Sequence, residues 1–122
     1  MITNFEQITK DLTTEEKSLI NKLIKGFYNH GKGNPIKEPE IRSRLAEKGI
    51  KLTGARMRKL CNLIRVAGVP LIATSKGYYI SKDPTEIRKQ IKSLEERAAA
   101  ITAAANGLKE CLKGIQAKIF ES

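Results

Sequence analysis

Apolar residues recur with three different rhythms along this 122-residue chain. From Leu19 through Ile20, Leu23, Ile24, Phe27 and Tyr28 they keep the helical period and define one face. Thr13-Thr14-Glu15-Glu16 ahead of that face reads as a capping box, with Thr13 at the N-cap and Glu16 at N3. Asn29-His30-Gly31 ends the helix, Gly31-Lys32-Gly33-Asn34-Pro35 forms a loop, and Ile36 suits a very short strand. A second helix is expected from near Pro39 through Ile41 and Leu45 to Lys48, with Gly49 as its stop. After a few residues Thr53 caps a third helix that reaches about Val66, its inward face being Met57, Leu60, Cys61 and Ile64. Ala67-Gly68-Val69-Pro70 breaks this helix. The short runs Leu71-Ile72-Ala73 and Tyr78-Tyr79-Ile80, flanking Thr74-Ser75-Lys76-Gly77, then predict a β-hairpin.

The third rhythm is a heptad seam. Asp83-Pro84-Thr85-Glu86 opens a final helix, Asp83 as N-cap, Pro84 at N1 and Glu86 at N3. Behind it Ile87, Ile91, Leu94, Ala98, Ile101, Ala105, Leu108, Leu112, Ile115 and Ile119 alternate spacings of 4 and 3 without interruption. That is the pattern of a coiled coil, and it predicts dimerisation through these ten positions. Asn106-Gly107 and Gly114 lower helix propensity, so a helical hairpin broken at Asn106-Gly107 is the competing reading. The flanking positions Arg88, Glu95, Thr102, Lys109, Gln90, Arg97, Ala104 and Cys111 carry no plain charge code for the orientation of partner helices.

The expected class is mainly α with a small β-hairpin (α+β): a winged helix-turn-helix followed by a long C-terminal coiled-coil-type helix. The boundaries are an N-terminal arm over 1–12, a winged-helix DNA-binding domain over 13–82 and a dimerisation helix over 83–122. In a helix-turn-helix the second helix of the pair enters the major groove. Its outward residues here are Thr53, Gly54, Ala55, Arg56, Arg58, Lys59 and Asn62. Arg reads guanine in a bidentate manner and Asn reads adenine; Thr53 and the first-turn N–H groups suit a phosphate, while Gly54 and Ala55 permit close approach. The wing contributes Ser75, Lys76, Gly77 and Tyr78. Strand alternation sends one of Tyr78 and Tyr79 to the core and the other to the surface. Arg42 and Arg44 are candidates for backbone contacts, along with Lys32 and Lys48.

Charge agrees with this placement. The net charge is +10, from 23 Lys and Arg against 13 Asp and Glu. Residues 1–21 carry −2 and residues 69–122 carry +3, whereas 22–68 carry twelve basic residues against Glu38, Glu40 and Glu47, a net of +9. A stretch so lopsided suits a polyanion. No apolar run approaches the about 20 residues of a membrane span, and Met1-Ile2-Thr3-Asn4-Phe5 lacks a signal pattern, so no membrane association is expected. Cys61 and Cys111 stand far apart inside helical patterns, which points to a reducing, cytoplasmic setting. One His and two distant Cys provide no metal site, and no phosphate loop, serine-nucleophile motif or carboxylate pair is present. No cofactor and no enzymatic activity are expected.

The segments Glu40-Ile41 to Gly49-Ile50, Thr53 to Leu60, Leu71 to Tyr79 and Ser93-Leu94-Glu95-Glu96-Arg97-Ala98 together resemble small winged-helix DNA-binding proteins of phages and prophage-like elements. The likeness runs from about Leu12 to Leu112 and is most specific at Ser75-Lys76-Gly77-Tyr78-Tyr79. It implies a DNA-binding fold in a phage setting, and hence the cytoplasm of a bacterial host. The leading expectation is a homodimeric, phage-type transcriptional regulator that binds double-stranded DNA with helix 53–66. The alternatives are a replication-initiation or replisome-organising accessory with a protein partner, and a protein-interaction adaptor without DNA binding.

Overall fold

A computed structural model of the chain describes residues 12–121. The elements, in order, are α1 (Thr14–Phe27), α2 (Glu38–Glu47), α3 (Gly54–Val66), β1 (Leu71–Thr74), β2 (Gly77–Ile80) and α4 (Pro84–Glu121). The chain is thus mainly helical, with a two-stranded antiparallel hairpin and a long C-terminal helix. The described residues form two compact units, one ending at Ile87 and the other beginning at Arg88. Of the arm expected over 1–12, only Leu12 lies within the described residues, and it is buried.

Local chemistry sets the ends of the first three helices. The Thr13 hydroxyl accepts from the Glu16 N–H at 3.1 Å and the Thr13 N–H donates to the Glu16 carboxylate at 3.2 Å, completing the capping box of α1. Helix α2 begins at Glu38, one residue before Pro39, and Lys37 caps it without a side-chain bond. Gly49 (φ +81°) and Gly68 (φ +93°) end α2 and α3 in the left-handed conformation that glycine adopts most cheaply. At each end the next residue, Ile50 or Val69, donates its N–H back to the Leu45 or Ile64 carbonyl and adds an apolar side chain to the core.

The core of the first unit is built from one stripe of each helix. Ile20, Met57, Leu60, Ile64 and Leu71 are fully enclosed, and Leu19, Leu23, Phe27, Ile36 and Ile41 surround them. Each enclosed side chain of this size stabilises the fold by about 1.5–3 kcal/mol. Ile36 pairs with Tyr78 as an isolated antiparallel bridge, with N–H to carbonyl distances of 2.9 and 2.8 Å. In the hairpin Leu71 faces Ile80, Ile72 faces Tyr79 and Ala73 faces Tyr78, leaving Ser75-Lys76 as a two-residue connection.

Helix α4 runs unbroken through Asn106-Gly107 and Gly114, so the hairpin alternative is not adopted. Neither glycine takes a positive φ, and a Cβ at either would meet nothing within 4 Å. An interior glycine weakens a helix by about 1 kcal/mol, which propagation along a segment this long offsets.

Candidate nucleic-acid interface

Burying Met57, Leu60, Cys61 and Ile64 decides which side chains α3 presents outward. Ala55, Arg58, Lys59 and Asn62 follow the spacing i, i+3, i+4, i+7 and form one exposed stripe. Neither Arg58 nor Lys59 has an ion-pair partner among the described residues. Asn62 accepts from the Arg65 guanidinium at 2.9 Å, while Arg65 Nε donates to the Leu71 carbonyl at 2.9 Å. This ties the C-terminal turn of α3 to the start of the hairpin.

Arg56 points elsewhere. Its position on the helix turns it toward α1, where its guanidinium donates to the half-buried Glu16 carboxylate. Thr53 is likewise engaged within the chain, its hydroxyl accepting from the Arg56 N–H at 3.1 Å as the α3 cap. Gly54 lies against α2: a Cβ there would stand 3.1 Å from a Glu38 carboxylate oxygen and 3.4 Å from the Arg58 guanidinium. Glu38 also pairs with Arg42 at 3.4 Å, and Glu40 with Arg44 at 2.8 Å, each one helical turn apart. The small residue at 54 therefore serves the α2–α3 contact. Two carboxylates, Glu16 and Glu38, shape this face. No periodicity links residue 16 to residue 56, and the capping pattern already accounted for Glu16. Glu38 carried the one available signal, being an acid in the most basic stretch of the sequence.

On the hairpin both tyrosines are covered. Tyr78 faces the core, its ring 5.7 Å from that of Phe27 and its hydroxyl near the Cys61 thiol. Burial pushes the Tyr78 hydroxyl up to about 12, and the Cys61 thiol up to about 11. Tyr79 lies on the opposite face and is only 5% exposed, in contrast to the expectation of one inward and one outward tyrosine. The start of α4 covers that second face. Asp83 caps α4 by accepting from the Thr85 N–H at 2.9 Å, and Glu86 bonds Ser81 and pairs with Lys32 at 3.0 Å beside Tyr79. Lys32 is held above its ordinary pKa by Glu86, and desolvation raises Tyr79. The exposed tip is thus Thr74, Ser75 and Lys76. Gly77 follows at φ +127°, where a Cβ would come within 2.6 Å of the Ile36 carbonyl oxygen.

Along the seam, Ile87 and Leu94 are half-buried, while Ile91, Ala98, Ile101, Ala105, Leu108, Leu112, Ile115 and Ile119 are exposed. Cys111 is exposed and Cys61 buried, both as free thiols. Among the described residues there is no cluster of three or more His, Cys, Asp or Glu placed to hold a metal, and no helix long and apolar enough to cross a membrane. Compared with protein-family models, curated proteins and solved structures, the chain matches none of them.

Proposed function

We propose that this chain is a double-stranded DNA-binding protein of the winged helix-turn-helix type, acting as a dimeric, phage-type transcriptional regulator in a bacterial cytoplasm. The observation that carries this reading is the stripe Ala55, Arg58, Lys59 and Asn62. It is exposed, it follows a short turn after α2, and its two cations have no partner among the described residues. In this reading Arg58 and Asn62 meet base edges in the major groove, and Lys59 and the wing residue Lys76 grip phosphates. Arg42, Arg44 and Arg56 are drawn into pairs with carboxylates and contribute mainly by orienting the face.

Those same pairs favour a second reading, a protein-interaction adaptor, because they remove three cations from the polyanion-binding surface. Selection of bound sequences from a random duplex pool, with mobility shifts at low and moderate salt, separates the two. The DNA reading expects a recovered motif with two-fold symmetry, and Arg58→Ala is expected to weaken binding to it by about 1–3 kcal/mol. Absence of any shift at low salt refutes it. Recovery of a replication protein on α4, together with DNA binding, would turn the reading from regulator to replication accessory.

A further inference from the structure

We infer that α4 pairs with α4 of a second copy in antiparallel orientation, in the one register that places the two-fold axis at Ala103. The inference rests on the dimer reading above and adds orientation and register to it. From Ala98 onward the seam is apolar and open to solvent, Ile101 being 71% exposed, Leu108 72% and Leu112 54%. A row of large aliphatic side chains at this spacing calls for another helix.

The sizes along the seam select the orientation. Ile91, Ala98, Ala105 and Leu112 occupy one seam position of the heptad, and Leu94, Ile101, Leu108 and Ile115 the other. In a parallel, in-register pair each residue meets its own copy, so Ala98 faces Ala98 and Ala105 faces Ala105. Two neighbouring layers of the same kind are then left underfilled. In an antiparallel pair the two kinds of seam position face each other. With the axis at Ala103, Ala98 meets Leu108 and Ala105 meets Ile101, while Leu94 meets Leu112 and Ile91 meets Ile115. Every alanine faces a large residue and no seam residue from 91 to 115 is left over.

The charges select the register. Lys92 pairs with Glu96 and Lys113 with Glu110 within one chain, away from the seam. Glu95 and Lys109 flank the seam and have no ion-pair partner among the described residues. In the register centred on Ala103 they face each other, twice by symmetry. Sliding one heptad in one direction sets Arg88 against Lys109; sliding the other way sets Arg97 against Lys118. Both alternatives oppose like charges.

The native cysteines provide the test on the full chain, because Cys111 is exposed and Cys61 is buried. A nitroxide placed on Cys111 is measured by pulsed dipolar spectroscopy, with sedimentation of the same sample. Cys111 lies eight residues beyond Ala103, so the two labels are offset by sixteen residue rises, about 24 Å along the axis. A dimer with a distance of about 25–35 Å supports the inference. A dimer with labels closer than about 20 Å has parallel helices or a slipped register and overturns it. A displacement by one heptad changes the axial offset by about 10 Å, so a longer distance also overturns the register. A monomer in sedimentation refutes the dimer reading itself, a result distinct from a dimer of the wrong geometry.

Discussion

Gly77→Ala tests how the hairpin is attached to the rest of the fold. Gly77 has φ +127°, outside the range that alanine adopts easily, and the added Cβ would lie 2.6 Å from the Ile36 oxygen, 2.7 Å from its carbonyl carbon and 3.0 Å from the Lys37 nitrogen. All three are backbone atoms, so no side chain can rotate away; the strands must part. The dihedral strain alone is about 1–2 kcal/mol. Separating Ile36 from β2 threatens the two Ile36–Tyr78 hydrogen bonds, at 2.9 and 2.8 Å, each contributing about 1 kcal/mol. The expected loss is therefore about 3 kcal/mol, a large share of the about 5–15 kcal/mol that holds an ordinary domain. In urea, with a slope of about 1.5 kcal/mol per M, the midpoint should fall by about 2 M. Gly26→Ala is the control: that glycine sits in α1 with open space where its Cβ would be and should gain up to about 1 kcal/mol. If Gly77→Ala unfolds within about 0.5 M of the parent, the close approach of β2 to Ile36 is not the constraint described.

Three further outcomes follow from the same geometry. Arg56→Ala and Glu16→Gln, measured singly and together by denaturation, should show a coupling of about 1 kcal/mol, with Arg56→Ala weakening DNA binding less than Arg58→Ala; additive effects would remove the pair from the account. Glu38→Gln takes a negative charge away from Gly54, Arg42 and Arg58 and should raise duplex affinity severalfold at low salt, a gain that vanishes at high salt; an unchanged affinity places Glu38 away from the bound DNA. Alkaline stability should report on Cys61, whose folded value of about 11 exceeds the ordinary 9.0. Its contribution is complete below pH 9 and disappears as the pH rises to 11, a loss of about 2 kcal/mol that should be absent from the pH profile of Cys61→Ala.

The elements were legible because their signals are local. The capping box at Thr13–Glu16, the glycine stops at Gly49 and Gly68, the hairpin around Ser75-Lys76 and the heptads of α4 each depend on residues within a few positions of one another. At Ile36 the expected short strand is a single-residue bridge, and its partner Tyr78 was not legible. Strand alternation correctly separated Tyr78 from Tyr79, but it presumes that the outer face meets water. Here the start of α4 covers that face, and an element arriving from elsewhere in the sequence leaves no trace in the alternation. The candidate interface was less legible for a related reason. Grouping Arg56 with Arg58 as outward cations overlooks that residues two apart lie on different sides of a helix, and the packing of α1 against α3 shows that Arg56 meets Glu16.

This difference changes what net charge means for the central segment. Its +9 counts every cation equally, yet Arg42, Arg44, Arg56 and Lys32 each face a carboxylate within the chain. Two of those carboxylates, Glu16 and Glu86, come from outside residues 22–68, so a count confined to the segment overstates the field its surface presents. Counterion release depends on cations free to approach phosphates, and a cation already paired must give up its partner first. In the DNA-binding reading proposed above, Lys59 and Lys76 would therefore carry more of the salt-dependent affinity than their share of the composition indicates. Arg58 stands between the two groups: it has no ion pair among the described residues, but its guanidinium and the Glu38 carboxylate both lie close to Gly54. In the DNA-binding reading, a carboxylate in that place would disfavour a close, unspecific approach of phosphate to the start of α3 and would favour base-edge contacts by Arg58 as the route to tight binding.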